Sequence, residues 1–203
     1  MTVRVEPLTG TALTAALPDL ARLRITVFRD WPYLYNGTPA YEQGYIAKFA
    51  KAPNAIIVAA FDGDRIVGAA TASPMLGHAD AFATPFKDRG FDVARIFYCG
   101  ESVLLADYRG RGIGHAFFEH REAHARRLGR FTHATFCGVV RPADHPRRPP
   151  DYVPLDAFWA KRGYAKVDGL VGACEWPDVG ETEKTAKPMQ FWMKALRDDG
   201  EVR

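Results

Sequence analysis

Long apolar runs are missing from this chain. The longest, such as AIIVAA at 55–60, are far short of the roughly 20 residues a membrane-spanning helix needs. The opening MTVRVEPLTG carries no apolar stretch of the kind a secretory leader requires. Cysteine is scarce. Cys99, Cys137 and Cys174 stand far apart and are odd in number, which fits neither a disulfide framework nor the spacing of a zinc site. They read as small, reduced, mostly buried residues, and the protein as cytoplasmic. Charge of one sign is missing too. The 27 basic residues are nearly matched by 24 acidic ones, leaving a net charge of +3. No basic stripe marks a nucleic-acid surface, and neither repeats nor low-complexity segments occur.

What is present is an ordinary globular composition. The chain has 203 residues, 47% apolar and 25% charged, enough to bury a substantial core without staples. No linker divides it, so residues 1–203 are read as a single domain.

The periodicities give an order of elements. VRVEPL at 3–8 alternates as a short strand. Residues 11–29 are helical, with Pro18 expected to kink or divide them. DWPYLYNGTP at 30–39 is an aromatic loop, and 40–51 a second helix. A buried strand at 55–62 turns at Gly63 and Asp64 into a returning strand at 66–75. Residues 77–94 read as a variable region and 95–106 as the next strand. A helix runs to about Leu128 and stops at Gly129. A strand at 131–140, a proline-rich loop, a short helix at 155–162 and two last strands complete the chain. This order is α/β, with a mixed sheet and helices on both faces.

One stretch within it is unusual. In LLADYRGRGIGHAFFEH at 104–120, Gly110, Gly112 and Gly114 crowd the turn between a strand and a helix, beside Arg109 and Arg111. The first N–H groups of a helix lack intrahelical partners and carry the positive end of its dipole. Glycine lets an anion approach them closely. An ordinary tight connection with solvated arginines has little use for three glycines, so the turn reads as an anion site. It is not a familiar nucleotide loop: position 115 is His and 117 is Phe, and no G-x-x-x-x-G-K-[ST] occurs.

The hexapeptide Arg109-Gly110-Arg111-Gly112-Ile113-Gly114 resembles the R/Q-x-x-G-x-G/A signature of the GNAT superfamily of N-acetyltransferases. ESVLLAD, just before it, resembles the family's central splayed strand, and PLDAFWAKRGYAKV at 154–167 its late F-Y-x-K-x-G-F helix. The resemblance in element order extends from residue 3 to about 196. It implies a GNAT-like mixed sheet, mostly antiparallel, and acetyl-CoA as acyl donor, with no metal. It places phosphate contacts at Arg109, Gly110, Arg111, Gly112, Ile113, Gly114 and His115, with Arg109 bracing the loop, and pantetheine contacts at Ser102, Val103 and Leu104, chiefly through backbone.

The same resemblance exposes departures. Family bases often stand eleven or nine residues before the motif arginine, and those positions are Tyr98 and Gly100. Glu101 is the nearest acid. In a regular strand it faces away from Ser102, although a bulge re-aims such a residue. It is a base candidate whose alternative is a structural hydrogen bond or ion pair. At the position of the family's usual acid, a tyrosine, stands Trp159, whose indole will not surrender a proton. Tyr152 is the substitute to consider, set against simple packing. Cys99 has no partner that would make it a nucleophile. His120 and His124 share a helix face without a third ligand and read as helix surface. Arg147 and Arg148 are solvated, or contact a phosphate or an acidic group on the substrate. The acceptor side, on the family's pattern, is walled by the first two helices and the loop between them, about 11–51, where Trp31, Tyr33 and Tyr35 are the candidate substrate contacts. Phe191 and Trp192 close the same wall or form the face of a homodimer.

The activity implied is direct transfer of acetyl from acetyl-CoA to a primary amine, of a small molecule or, alternatively, of a peptide or lysine. The competing reading is a non-catalytic acyl-CoA-binding or sensing module.

Overall fold

A computed structural model describes residues 3–78 and 80–196; the ends of the span read as one domain, 1–2 and 197–203, lie outside the described residues. Strand β1 (Arg4–Leu8) is followed by helices α1 (Gly10–Phe28) and α2 (Pro39–Ala50) and by the hairpin β2 (Ile56–Asp62) and β3 (Arg65–Pro74). Then come α3 (Asp80–Lys87), β4 (Ile96–Leu104), α4 (Ile113–Leu128), β5 (His133–Val139), α5 (Asp156–Lys161), β6 (Ala165–Trp176) and β7 (Thr185–Ala195). The strands form one seven-stranded sheet in the order β1-β2-β3-β4-β5-β7-β6. Every neighbouring pair is antiparallel except β4 with β5.

Both faces of the sheet centre are covered, which is why β2 and β3 read as continuous apolar runs rather than alternating ones. On one face α4 packs Ile113, Phe117, Phe118 and Ala125 onto Ile56, Val58, Ala70 and Phe97. On the other, Leu13, Leu17, Leu20 and Leu23 of α1 pack onto Ile57, Ala59, Ala69 and Val103. Each such leucine stabilises the fold by about 1.5–3 kcal/mol relative to an exposed one. That stripe explains a correction: α1 runs unbroken through Pro18. A helix pinned by four buried leucines tolerates the loss of one backbone donor.

A second correction falls at 77–94. This stretch, read as a variable region, holds α3, with one short 3₁₀ turn at Met75–Gly77 leading into it and another at Val93–Arg95 at its end. Pro85 and the eight-residue length hid the helix from periodicity. Its Ala83 and Phe86 anchor it to Phe191, Tyr98 and Met189 in a third apolar cluster, at the β4–β5–β7 end of the sheet. Among the described residues, no helix is long and apolar enough to cross a membrane.

Candidate active site

The site begins where the sheet comes apart. β4 pairs with β3 from Phe97 to Leu104, but meets β5 only at Ile96–Tyr98 opposite His133–Thr135. Beyond that point β5 follows β7 as far as Val139. Among the described residues, the edge of β4 that turns toward β5 thus has no strand partner from Cys99 onward, and its backbone groups need other partners. Ser102 is exposed along this stretch. The Val103 side chain is fully buried in the core, so only its backbone can serve a ligand.

β4 also carries a bulge. Ala70 opposes Ser102 while Ala72 opposes Cys99, so β4 has one extra residue there. Gly100 is required by closeness: a Cβ at this position would sit 2.6 Å from Thr71 Oγ1. The Glu101 N–H donates to Thr71 Oγ1 at 3.0 Å. From the α4 side, Arg121 donates through Nη1 to the carbonyls of Thr71 and Glu101, both at 3.3 Å, and through Nε to Phe117 at 3.2 Å. Arg121 is only 1% exposed. It satisfies carbonyls that the bulge removes from the ladder.

The bulge re-aims Glu101 into an ion network. One of its oxygens accepts from Arg24 Nη1 and the other from Thr71 Oγ1. Arg24 also donates through Nε to Glu42 at 2.6 Å, and Glu42 accepts from the Tyr35 hydroxyl at 2.8 Å. The guanidinium lies 4.1 Å from the Tyr45 ring centroid. Glu42 is wholly buried and Arg24 nearly so. Burial alone would lower the Arg24 pKa, but Tyr45 and Glu42 outweigh it and hold the guanidinium charged. The network ties α1, α2 and the β4 bulge together. Between ion pair and free base, the geometry of Glu101 is that of the ion pair.

The other catalytic candidates are separated. Tyr98 stands at the last β4–β5 pair, buried in the third apolar cluster with the His78 ring against it, and its hydroxyl is 3.2 Å from Cys137 Sγ. Burial holds its phenol well above the ordinary range and pushes the Cys137 thiol up to about 12. Cys99 is likewise buried, with its thiol pushed up by burial. Tyr152 belongs to a different group: its ring lies 5.9 Å from Trp31, which also meets His145 at 5.0 Å. Trp159 packs on Phe136 and Trp192 at 5.0 and 5.2 Å, and a Cβ on Gly138 would meet its ring at 3.1 Å. Half-buried, it packs against the core at the position where the family resemblance implies an acid.

The aromatic loop is held by residues the sequence did not single out. Arg141 donates to the carbonyls of Pro32 and Tyr33 at 2.9 and 2.6 Å, and forks onto Asp178 at 2.7 and 2.8 Å. Tyr33 packs on Phe28 and Trp176, and burial raises its pKa. Tyr35 is committed to Glu42, and Trp31 keeps a buried indole N–H with no hydrogen-bond partner among the described residues. Trp31, Tyr33 and Tyr35 thus share a loop but have different surroundings. Arg147 bonds the Val179 carbonyl, and Arg148 lies over Tyr152.

At the other end of the β4–β5 opening is the glycine turn. Gly110 and Gly112 have φ of +74° and +80°, a left-handed conformation that side chains rarely adopt. Gly112 caps α4, and among the described residues no side chain caps the helix start. His115 and Ala116 close onto the Gly112 carbonyl, so the preceding N–H groups lie ahead of the first intrahelical bond. A Cβ at either Gly110 or Gly112 would meet nothing within 4 Å, and residues 109–112 are exposed. Gly114 serves packing instead, since a Cβ there would come within 3.3 Å of Phe158. His115 lies against the same Phe158 ring. Ile113 is buried, so only its backbone faces outward. Arg109 Nε reaches the Leu104 carbonyl at 3.4 Å, and Arg111 bonds the Asp107 carbonyl at 2.7 Å. Both arginines brace the turn while staying solvent-facing. An open groove of about 590 Å³ between α1 and α2, lined by Leu17, Pro18, Ile25 and Ile46 among others, lies on a flank of α1 away from Arg24.

Arg24, Glu42, Thr71, Arg121 and Arg141 escaped sequence reading. Their one available signal is charge inside apolar helical and strand patterns, as Arg24 among the apolar positions of α1 and Arg121 among those of α4. His124, read as helix surface, bonds the Asn54 carbonyl at 3.1 Å.

Comparison with known proteins gives consistent results. The family model described as the acetyltransferase (GNAT) family matches residues 20–149. No curated protein matches the sequence. Among solved structures, an aminoglycoside 6'-N-acetyltransferase complexed with coenzyme A is similar at a TM-score of 0.61 and 15% identity, covering 98% of this chain and 99% of the other. The ribosomal-protein-alanine N-acetyltransferase from Brucella melitensis is similar at 0.58 and 15%, covering 95% and 99%. The structure of yncA from Salmonella typhimurium with its cofactor acetyl-CoA is similar at 0.60 and 11%, covering 98% and 96%.

Proposed function

The chain belongs to the GNAT acetyltransferase family, and on that premise we propose that it acts as one domain that transfers acetyl from acetyl-CoA to a primary amine of a small molecule. The observation that carries the proposal is the parting of β4 from β5 above an uncapped helix start. The unpaired edge of β4 around Ser102, Val103 and Leu104 offers backbone donors and acceptors to an extended amide-bearing arm. The backbone N–H groups at 110–114, with the α4 dipole behind them and Arg109 and Arg111 beside them, fit a pyrophosphate. The exposed turn leaves room for it, as the empty space around Gly110 and Gly112 indicates.

With the donor so placed, its thioester falls toward the bulge at Gly100 and Glu101. The Glu101 N–H is held by Thr71 Oγ1, so the carbonyl is polarised by another backbone N–H on the unpaired edge of β4, and the amine attacks directly, because no described side chain at the bulge is a free nucleophile. The acceptor approaches from the α1–α2 side, past the loop that carries Trp31, Tyr33 and Tyr35. A small-molecule amine is supported by the structural likeness to an aminoglycoside 6'-N-acetyltransferase. The likeness to a ribosomal-protein-alanine N-acetyltransferase keeps a peptide amine as the second acceptor class.

A non-catalytic acyl-CoA module is favoured by one observation, the engagement of both Glu101 oxygens. Thiol release from acetyl-CoA in the presence of a panel of polyamines, amino sugars, amino acids and peptides separates the readings. Turnover on any of them supports the enzyme. Thermal stabilisation by acetyl-CoA with no turnover supports the module.

A further inference from the structure

The connection from β3 to α3 brings one histidine to the point where β4 and β5 part. His78 Nε2 is 2.7 Å from Ser73 Oγ. Ser73 is 2% exposed and is the direct ladder partner of Tyr98. The His78 ring meets the Tyr98 ring edge-on, with centroids 4.6 Å apart, and Tyr98 belongs to the last of the three β4–β5 pairs. Two residues back along β3, on the same face, Thr71 holds the Glu101 carboxylate. The imidazole therefore shares the α1 face of the sheet with the bulge.

Its neighbours are poorly suited to take a proton at neutral pH. Glu101 has both oxygens engaged. The Tyr98 hydroxyl is turned to Cys137, and burial keeps both of those groups protonated. Among the described residues, the groups that meet the ring are Ser73 from β3 and Tyr98 from β4, with Cys137 of β5 behind Tyr98, and none of these three is charged. Burial alone lowers the His78 pKa, to about 4, so the ring is neutral with a lone pair available.

We propose that His78 accepts the proton lost by the acceptor amine, with Ser73 holding the ring through Nε2 and leaving Nδ1 for the substrate. The proposal rests on the N-acetyltransferase reading. The amine nitrogen forms a bond to the thioester carbonyl carbon, and its N–H proton passes to Nδ1. The C–S bond breaks with its electron pair on sulfur, and the imidazolium returns the proton to the thiolate. The products are the amide and the free thiol, and the ring ends neutral. A weak base suffices, because the nitrogen becomes strongly acidic once bonded to the carbonyl carbon. The same low basicity makes the imidazolium a good donor to the leaving thiolate.

The test uses the full chain and its His78→Gln, His78→Ala and Ser73→Ala variants, with acetyl-CoA and an amine that the wild type acetylates. Acetyl-CoA affinity and thermal unfolding are measured beside kcat and KM. We expect His78→Gln and His78→Ala to lose kcat by about 100-fold or more with acetyl-CoA affinity unchanged. Free imidazole should restore part of the rate to His78→Ala but none to His78→Gln. Ser73→Ala should lower kcat less and shift its pH profile. A folded His78→Gln or His78→Ala enzyme with kcat within about threefold of the wild type overturns the assignment alone. A wild type that binds acetyl-CoA but turns over no amine overturns the functional reading together with it. Should His78→Ala not fold, His78→Gln and Ser73→Ala decide: unchanged kcat and pH profile in both overturn the assignment.

Discussion

Replacing Arg24 with leucine should be among the most damaging single changes in this protein, and its damage should grow with pH. Arg24 is 9% exposed and serves two carboxylates, Glu42 at 0% and Glu101 at 7%. Leucine removes the cation and leaves both acids buried around an apolar side chain. Breaking a buried pair by deleting one partner costs about 3–5 kcal/mol. For a chain of this size that is a fall of about 6–20 °C in Tm. The sign of the pH effect follows from the same geometry. Without the guanidinium, burial and mutual repulsion raise the carboxyl pKa values in the folded state above their unfolded values near 4.3. The native variant then binds more protons than its unfolded chain, and its stability falls as pH rises from about 5 to 8. Urea unfolding of wild type and Arg24→Leu at several pH values in that window measures the difference directly. Adding Glu42→Gln to Arg24→Leu should recover part of the loss. A variant within about 1 kcal/mol of wild type, or one that gains stability with pH relative to wild type, would refute the view that this network is a buried, charged clamp.

Other expectations follow from single contacts. Gly112→Val forces a β-branched residue to a φ of +80° at the start of α4; acetyl-CoA affinity should fall by at least about tenfold, read by calorimetry, while unchanged affinity would misplace the phosphate site. His78, lowered from 6.5 to about 4 by burial, contributes about 3 kcal/mol of stability that is fully present above pH 6.5 and is lost as pH falls through 4; His78→Asn should flatten the acid limb of a stability–pH curve, and an unaltered limb would count against a buried neutral ring. Arg121→Met leaves the Thr71 and Glu101 carbonyls without a donor and should cost about 2–4 kcal/mol in denaturant unfolding; a neutral result would mean the bulge does not depend on its brace.

The order of strands and long helices was legible because apolar periodicity and glycine punctuation act locally. Gly63 at a hairpin tip and Gly129 at a helix end with φ of +74° are examples in which one residue type settles the backbone. Pro18 misled because its cost is local while the compensation from Leu13, Leu17, Leu20 and Leu23 is tertiary. α3 was missed for a related reason. Its eight residues gain their stability from Phe191, Met189 and Tyr98, which lie on other strands, and no window of sequence contains that gain.

The two halves of the candidate site divide along the same line. The proposed donor half is a turn between adjacent elements, so its glycines, its arginines and the helix start they serve lie within a dozen residues, and the turn was readable as one unit. The proposed acceptor half is assembled from afar. Glu101 was visible as an acid next to the splayed strand, but what it does is set by Arg24, 77 positions away, and Thr71, 30 positions away. The bulge that turns it toward them depends on Gly100 having no Cβ beside Thr71 and on Arg121 satisfying the displaced carbonyls from the opposite face. Once those partners engage Glu101, an acid on β4 is no longer an available base, and under the proposed acetyl transfer the proton leaves by another group. The neutral imidazole that β3 and its exit loop bring to Tyr98 stands on the same face of the sheet, at the point where β4 and β5 separate.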